Sequence, residues 1–105
     1  MNELSLSGWI AEARPLRYTP AGTPVLELKL SHQSDVTQAG RQRRIELHIA
    51  AMAFGDVALL LADSHLGEYL SVKGFLAPSR QGSSRLVLHI QEFNRQLADS
   101  APITV

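Results

Sequence analysis

A chain of 105 residues with 45% hydrophobic and 19% charged residues has the size and apolar content of one domain built around one core, which excludes a two-domain organisation. The absence of cysteine excludes disulfides, thiolate metal sites and cysteine nucleophiles together. Ten Lys and Arg balance ten Asp and Glu, so a uniformly basic surface is excluded as well.

Leu4, Leu6, Gly8 and Ile10 alternate with Ser5, Ser7, Trp9 and Ala11, the two-residue period of a half-buried first strand. Thr19-Pro20-Ala21-Gly22-Thr23-Pro24 reads as a turn, because its prolines and glycine punctuate rather than extend an element. Leu26, Leu28 and Leu30 alternate with Glu27, Lys29 and Ser31 in a second strand, which the polar stretch from Ser34 to Gln42 is expected to close. Ile45, Leu47 and Ile49, alternating with Arg44, Glu46 and His48, predict a third strand from Arg43 to Met52. At Gly55-Asp56 the period lengthens: Asp56 is a candidate cap, and Val57, Ala58, Leu60 and Leu61 predict a short helix over 56–64. Leu70, Val72, Gly74 and Leu76 form a fourth strand, Pro78 to Ser84 a polar loop, and Leu86, Leu88 and Ile90 a fifth strand. Three strands, a short helix and two strands is the order of an all-β OB fold, a five-stranded Greek-key barrel with its helix between strands three and four. The domain is expected to span 1–98, with 99–105 a flexible C-terminal tail. The opening Met1-Asn2-Glu3-Leu4 has no basic leader region, and the apolar run from Val57 to Ala62, which no other exceeds in length, is far short of a membrane span. A cytoplasmic location without a membrane partner is therefore expected.

The charge balance conceals an uneven distribution. Residues 14–44 carry Arg14, Arg17, Lys29, Arg41, Arg43 and Arg44 against Glu27 and Asp35, residues 45–69 carry no Lys or Arg, and residues 70–95 carry Lys73, Arg80, Arg85 and Arg95 against Glu92. OB barrels bind single strands on the outer faces of strands two and three and on the loops joining strands one to two and four to five. The cations fall in those places. Guanidinium groups contact phosphates and stack on bases, so the set suits single-stranded nucleic acid. Tyr18, in the first loop, is the best stacking candidate, whereas Phe54, Phe75 and Phe93 are open between core, dimer surface and platform. Trp9, on the outward phase of strand one, reads as an interface residue. Trp9, Val87 and Phe75, all on outward phases, predict a homodimer.

Motifs for catalysis are absent: no nucleophile elbow, phosphate-cradling glycine loop or dinucleotide fingerprint occurs. His32, His48, His65 and His89 show no spacing that puts two ligands on one element. Neither an enzyme, a metal site nor a cofactor is expected.

The words Leu6-Ser7-Gly8, Pro15-Leu16-Arg17, Pro20-Ala21-Gly22-Thr23-Pro24, Leu30-Ser31-His32-Gln33-Ser34, Ala39-Gly40, Val72-Lys73-Gly74-Phe75-Leu76 and Leu86-Val87-Leu88-His89 occur in order along nearly the whole chain. In this order and spacing the chain resembles primosomal replication protein N, the PriB family of bacterial replication restart, itself related to bacterial single-stranded DNA-binding proteins. The resemblance implies a homodimeric, non-enzymatic OB protein that binds single-stranded DNA and joins the restart helicase PriA and the loader protein DnaT. It carries Arg17, Lys73, Arg80 and Arg85 over as the best DNA contacts, within a candidate set of Arg14, Arg17, Tyr18, Lys29, Arg41, Arg43, Arg44, Lys73, Arg80 and Arg85. Two departures accompany it: aromatic positions of the family align with Arg41 and Glu46 here. An alternative therefore stands beside the first reading, a protein-interaction OB module of the primosome with only weak DNA binding.

Overall fold

The structure, a computed structural model, describes residues 1–95. The tail expected at 99–105, and the domain limit at 98, lie outside the described residues. Strand β1 (Leu4–Ala13) is followed by a two-residue strand β2 (Arg17–Tyr18), β3 (Pro24–Gln38), β4 (Arg41–Phe54), helix α1 (Asp56–Leu61), β5 (Tyr69–Pro78) and β6 (Leu86–Arg95). Neighbouring strands run in the order β1-β5-β6-β4-β3-β2, and β1 also pairs with β3, so the sheet closes on itself. The result is the expected OB barrel of five long strands, with β2 an appendage on β3. The helix lies between the third and fourth long strands.

One β1 strand can serve two neighbours because a bulge between Ile10 and Glu12 re-aims it. Residues Leu4 to Trp9 pair with β5, and Trp9 to Ala13 pair with β3. Where the strands cross closely, side chains are missing: a Cβ at Gly8 would lie 2.5 Å from the Ser31 carbonyl oxygen, and one at Gly74 would overlap the His89 carbonyl. Asn2 prolongs the β1 edge with its side chain, which donates to the Leu76 carbonyl at 2.7 Å and accepts from the Leu76 amide at 3.0 Å.

The core follows from the two-residue period of the strands. Leu26, Leu28, Leu30, Ala51, Ala53, Leu70, Val72, Leu88 and Ile90 point inward with Ile10, and Ala58 and Leu61 of α1 close one end of the barrel. Each buried leucine contributes about 1.5–3 kcal/mol relative to exposure. Small Ala51 and Ala53 on β4 share this buried cluster with Ala58 and Leu61 of α1.

Several boundaries differ from the sequence reading. The polar stretch from Ser34 to Gln42 does not end β3: it continues the β3–β4 ribbon to a two-residue turn at Ala39 and Gly40, whose φ values of 53° and 77° are those of a hairpin loop with left-handed central residues. Polar residues persist there because that part of the ribbon projects past the core, with no core left to bury. Tyr18, placed in a loop by the sequence, pairs with Pro24 in β2. Helix α1 stops at Leu61 rather than 64, and Asp56 is its first residue rather than its cap, which is Gly55 with no side-chain hydrogen bond. Val87 is outward by phase yet only 5% exposed, and Phe75 is half-buried, so neither is the free apolar surface expected from phase alone.

Candidate nucleic-acid interface

Arg14 follows β1, its amide donating to the Glu27 carbonyl at 2.9 Å, and Arg17 is held opposite Val25 by β2. Lys29 and Glu27 stand on the outward phase of β3 beside Ala50 and Met52 of β4, their register partners. Arg85 comes from the β5–β6 connection, where the Ser79 amide donates to its carbonyl at 2.8 Å. These elements surround one open cleft of about 600 Å³, whose lining also includes Glu12, Ser79 and Val87. Val87 thus forms cleft floor, which is why an outward residue is covered.

The cleft gathers four of the ten candidate residues: Arg14, Arg17, Lys29 and Arg85. Tyr18 and Arg80 adjoin it without lining it; Tyr18 is 59% exposed next to Arg17, and the Arg80 carbonyl accepts from the Ser83 amide in the turn after Ser79. Arg44 shares the outward phase but is six residues along β4 from Ala50, about 20 Å at strand rise. Its guanidinium donates to Asp35 at 3.2 Å. Arg41 and Arg43 lie on the other phase, with Ile45 and Leu47, and Arg43 donates to Gln38 at 2.7 Å. Lys73 sits on β5 opposite Ser5 and Glu92, apart from the cleft. The nine cations and one aromatic side chain are therefore not one face.

The sequence reading missed the acids that share the cleft. Glu27 Oε2 accepts from Arg17 Nη2 at 2.8 Å and Nε at 3.3 Å, and its Oε1 is 4.0 Å from Arg14 Nε. Lys29 Nζ is 3.8 Å from Glu12. Such exposed pairs stabilise the fold by about 0–1 kcal/mol each, so their main effect is to orient the cations. Arg85 has no carboxylate partner among the described residues. The outward phase of Glu27 between Leu26 and Leu28 was the available signal, but its pairing with Arg17 depends on strand register.

A second missed feature is a row of three rings on the outer surface. His89 of β6 stacks between Phe75 of β5, at 4.9 Å and 8°, and Phe54 of β4, at 5.8 Å and 9°. Met52 and Val87 line the cleft, and Phe54 and His89 lie two residues further along the same strands and phases, so the row continues the cleft floor. Phe54, the end ring, is 44% exposed. Of the other aromatics, Phe93 packs against the core with the Arg95 guanidinium 5.2 Å over its ring, and Trp9 rests on Tyr69 at 4.9 Å. Among the described residues no group of three or more His, Cys, Asp or Glu is placed to hold a metal ion, and no helix is long and apolar enough to cross a membrane. Cations beside a ring stack offer a polyanion with flat bases two kinds of contact, ionic and stacking.

Comparison with known proteins gives this geometry its family. Residues 2–92 match a family model described as another single-strand binding protein family. Replication restart protein PriB of Bordetella pertussis is 53% identical over 90% of this chain and 89% of its own length, and that of Nitrosomonas europaea is 38% identical over 87% and 84%. The solved PriB of Ralstonia solanacearum superposes with a TM-score of 0.81 at 33% identity, covering 90% of this chain and 97% of that one. A single-stranded DNA binding protein from Thermus aquaticus shares the fold at a TM-score of 0.73 and 22% identity, covering 90% of this chain and 50% of that one. A closed OB barrel, a cation-lined cleft on its β3–β4 side and these relatives together place the chain in the PriB family of replication restart proteins, within the single-strand binding proteins.

Proposed function

We propose that the chain binds single-stranded DNA along the cleft and the adjoining ring row, and serves replication restart as a non-enzymatic, cofactor-free cytoplasmic homodimer bridging DNA, the restart helicase PriA and the loader protein DnaT. The observation that carries the DNA part is convergence. Cations from the β1–β2 connection, the outer face of β3 and the β5–β6 connection, far apart in sequence, meet in one cleft. PriA and DnaT come from the family resemblance, supported by the restart role in the relatives' names. The test is titration of labelled oligo-dT and a matched duplex over a range of salt. If three to five phosphates are neutralised, the log-log slope for the single strand is about −2 to −3.5, with weaker binding to duplex.

One observation favours a second reading, a protein-interaction module with weak DNA binding. Glu27 and Glu12 already engage three of the cleft's cations, and Glu46 stands exposed on β4 where the family carries an aromatic. A flat salt response with intact binding to PriA or DnaT gives that reading precedence.

A further inference from the structure

The cleft holds an anion site that is already filled from within the chain. Arg17 presents Nε and Nη2 to a single oxygen of Glu27, at 3.3 and 2.8 Å, and Arg14 approaches the other oxygen at 4.0 Å. Guanidinium takes carboxylate and phosphate oxygens with the same donors. Main-chain bonds fix where these groups meet, since the Arg14 amide donates to the Glu27 carbonyl and Arg17 pairs with Val25, two residues before Glu27. We propose that the Glu27 carboxylate occupies the place of a backbone phosphate between Arg14 and Arg17, and that an incoming single strand must displace it.

The proposal rests on the reading of the cleft as a nucleic-acid interface and adds a selectivity device to it. Lys29 faces Glu12 and Arg17 faces Glu27, whereas Arg85 has no carboxylate partner among the described residues. An isolated phosphate therefore meets one uncommitted cation and gains too little to evict Glu27. A strand anchored at Arg85 holds its further phosphates at high effective concentration near Arg17, so displacement becomes intramolecular. Glu27 is 37% exposed at its side chain and can turn to solvent once released. The exchange has a thermodynamic signature. The incoming phosphate sheds its counterion, but the freed Glu27 carboxylate takes up a cation from solution in exchange, so net counterion release is smaller and the salt slope is shallower than the count of cations implies.

The experiment compares Glu27→Gln with wild type in oligo-dT titrations across salt, by anisotropy of the labelled strand. Glutamine keeps the size and the acceptor for Arg17 but removes the charge. The expected result is about five- to tenfold tighter binding at low salt and a slope steeper by about 0.7, the value of one further phosphate on a single strand. Asp63→Asn, which changes net charge equally on the exposed segment after α1, is expected to leave the slope as it is. Equal affinity and slope for Glu27→Gln and wild type would overturn the proposal, as would weaker binding with an unchanged melting temperature, which would make Glu27 a positioning residue for Arg17. A slope change of the same size in Asp63→Asn overturns it too, because net charge then suffices. Wild-type binding with an unchanged Glu27→Gln defeats this inference alone, whereas no binding by either protein defeats the interface reading with it.

Discussion

Phe54 sits at the end of the three-ring row, 44% exposed, while His89 and Phe75 behind it are half-buried. A ring braced by a parallel neighbour loses little freedom when a base stacks on it, so Phe54 is the most economical platform on this surface. Base-aromatic stacking is worth about 1–3 kcal/mol per base. Phe54→Ala is therefore expected to weaken oligo-dT binding roughly tenfold or more, with Phe54→Tyr near wild type, both read by titration at fixed salt. Because the ring is largely outside the core, the melting temperature of Phe54→Ala should stay close to wild type; unchanged affinity would remove the row from the interface. At this scale the sequence conveys phase but not company. The outward phase of Lys29 and Glu27 is legible from alternation with leucines, whereas the union of Arg17 with Glu27, and of Phe54 with His89 and Phe75, depends on register between distant strands. His32 illustrates the same point. Its Nδ1 lies 2.6 Å from the Ser7 carbonyl, which can only accept, so that nitrogen donates, while Nε2 lies 2.8 Å from Ser34 Oγ.

Among the elements, β5 and β6 depend on one missing side chain. The register between them shifts between Lys73 and Gly74, and this irregularity brings the Gly74 Cα against the His89 carbonyl, which a Cβ would overlap. Gly74→Ala must part the two strands where His89 holds the ring row, and is expected to destabilise the fold by about 2–4 kcal/mol. Gly82→Ala is the comparison. Its φ of 81° is left-handed but nothing lies within 4 Å, so only the conformational cost of about 1–2 kcal/mol applies. Urea unfolding of the two variants separates these causes, and equal losses would refute the contact as the reason. The order of elements is legible because each core-facing period is clear: leucines every second residue in the strands, helical spacing after Gly55. Element ends are not, where the ribbon leaves the core. Residues 34 to 42 lost their apolar alternation although their backbone pairing continued, since a hairpin arm beyond the barrel needs register and a left-handed turn, not burial.

At the scale of the molecule, two features left open by the barrel point the same way. From Leu4 to Gly8, β1 pairs with β5 on one side only, and on the other side His32 satisfies just the Ser7 carbonyl. An unpaired strand edge of this kind invites a further strand. Beside it the β3–β4 arm carries apolar groups on its inward phase past the end of the core: Val36 at 40% and Leu47 at 36% exposure, with Ile45 half-buried. A second copy meeting β1 edge to edge about a twofold axis would fill both, because an isologous contact would set each arm against the other subunit. A stable contact of this kind buries about 1,200–2,000 Å² in total. The expected outcome is a dimer by sedimentation equilibrium at micromolar concentration. Leu47→Glu, which puts a charge on the arm without touching the barrel core, is expected to give a folded monomer with weaker DNA binding, because two clefts on one dimer bind a long strand with the benefit of effective concentration. A wild-type monomer at micromolar concentration would refute the dimer. A Leu47→Glu protein that remains dimeric would instead move the interface off the arm and leave the open edge of β1 to be explained by another partner.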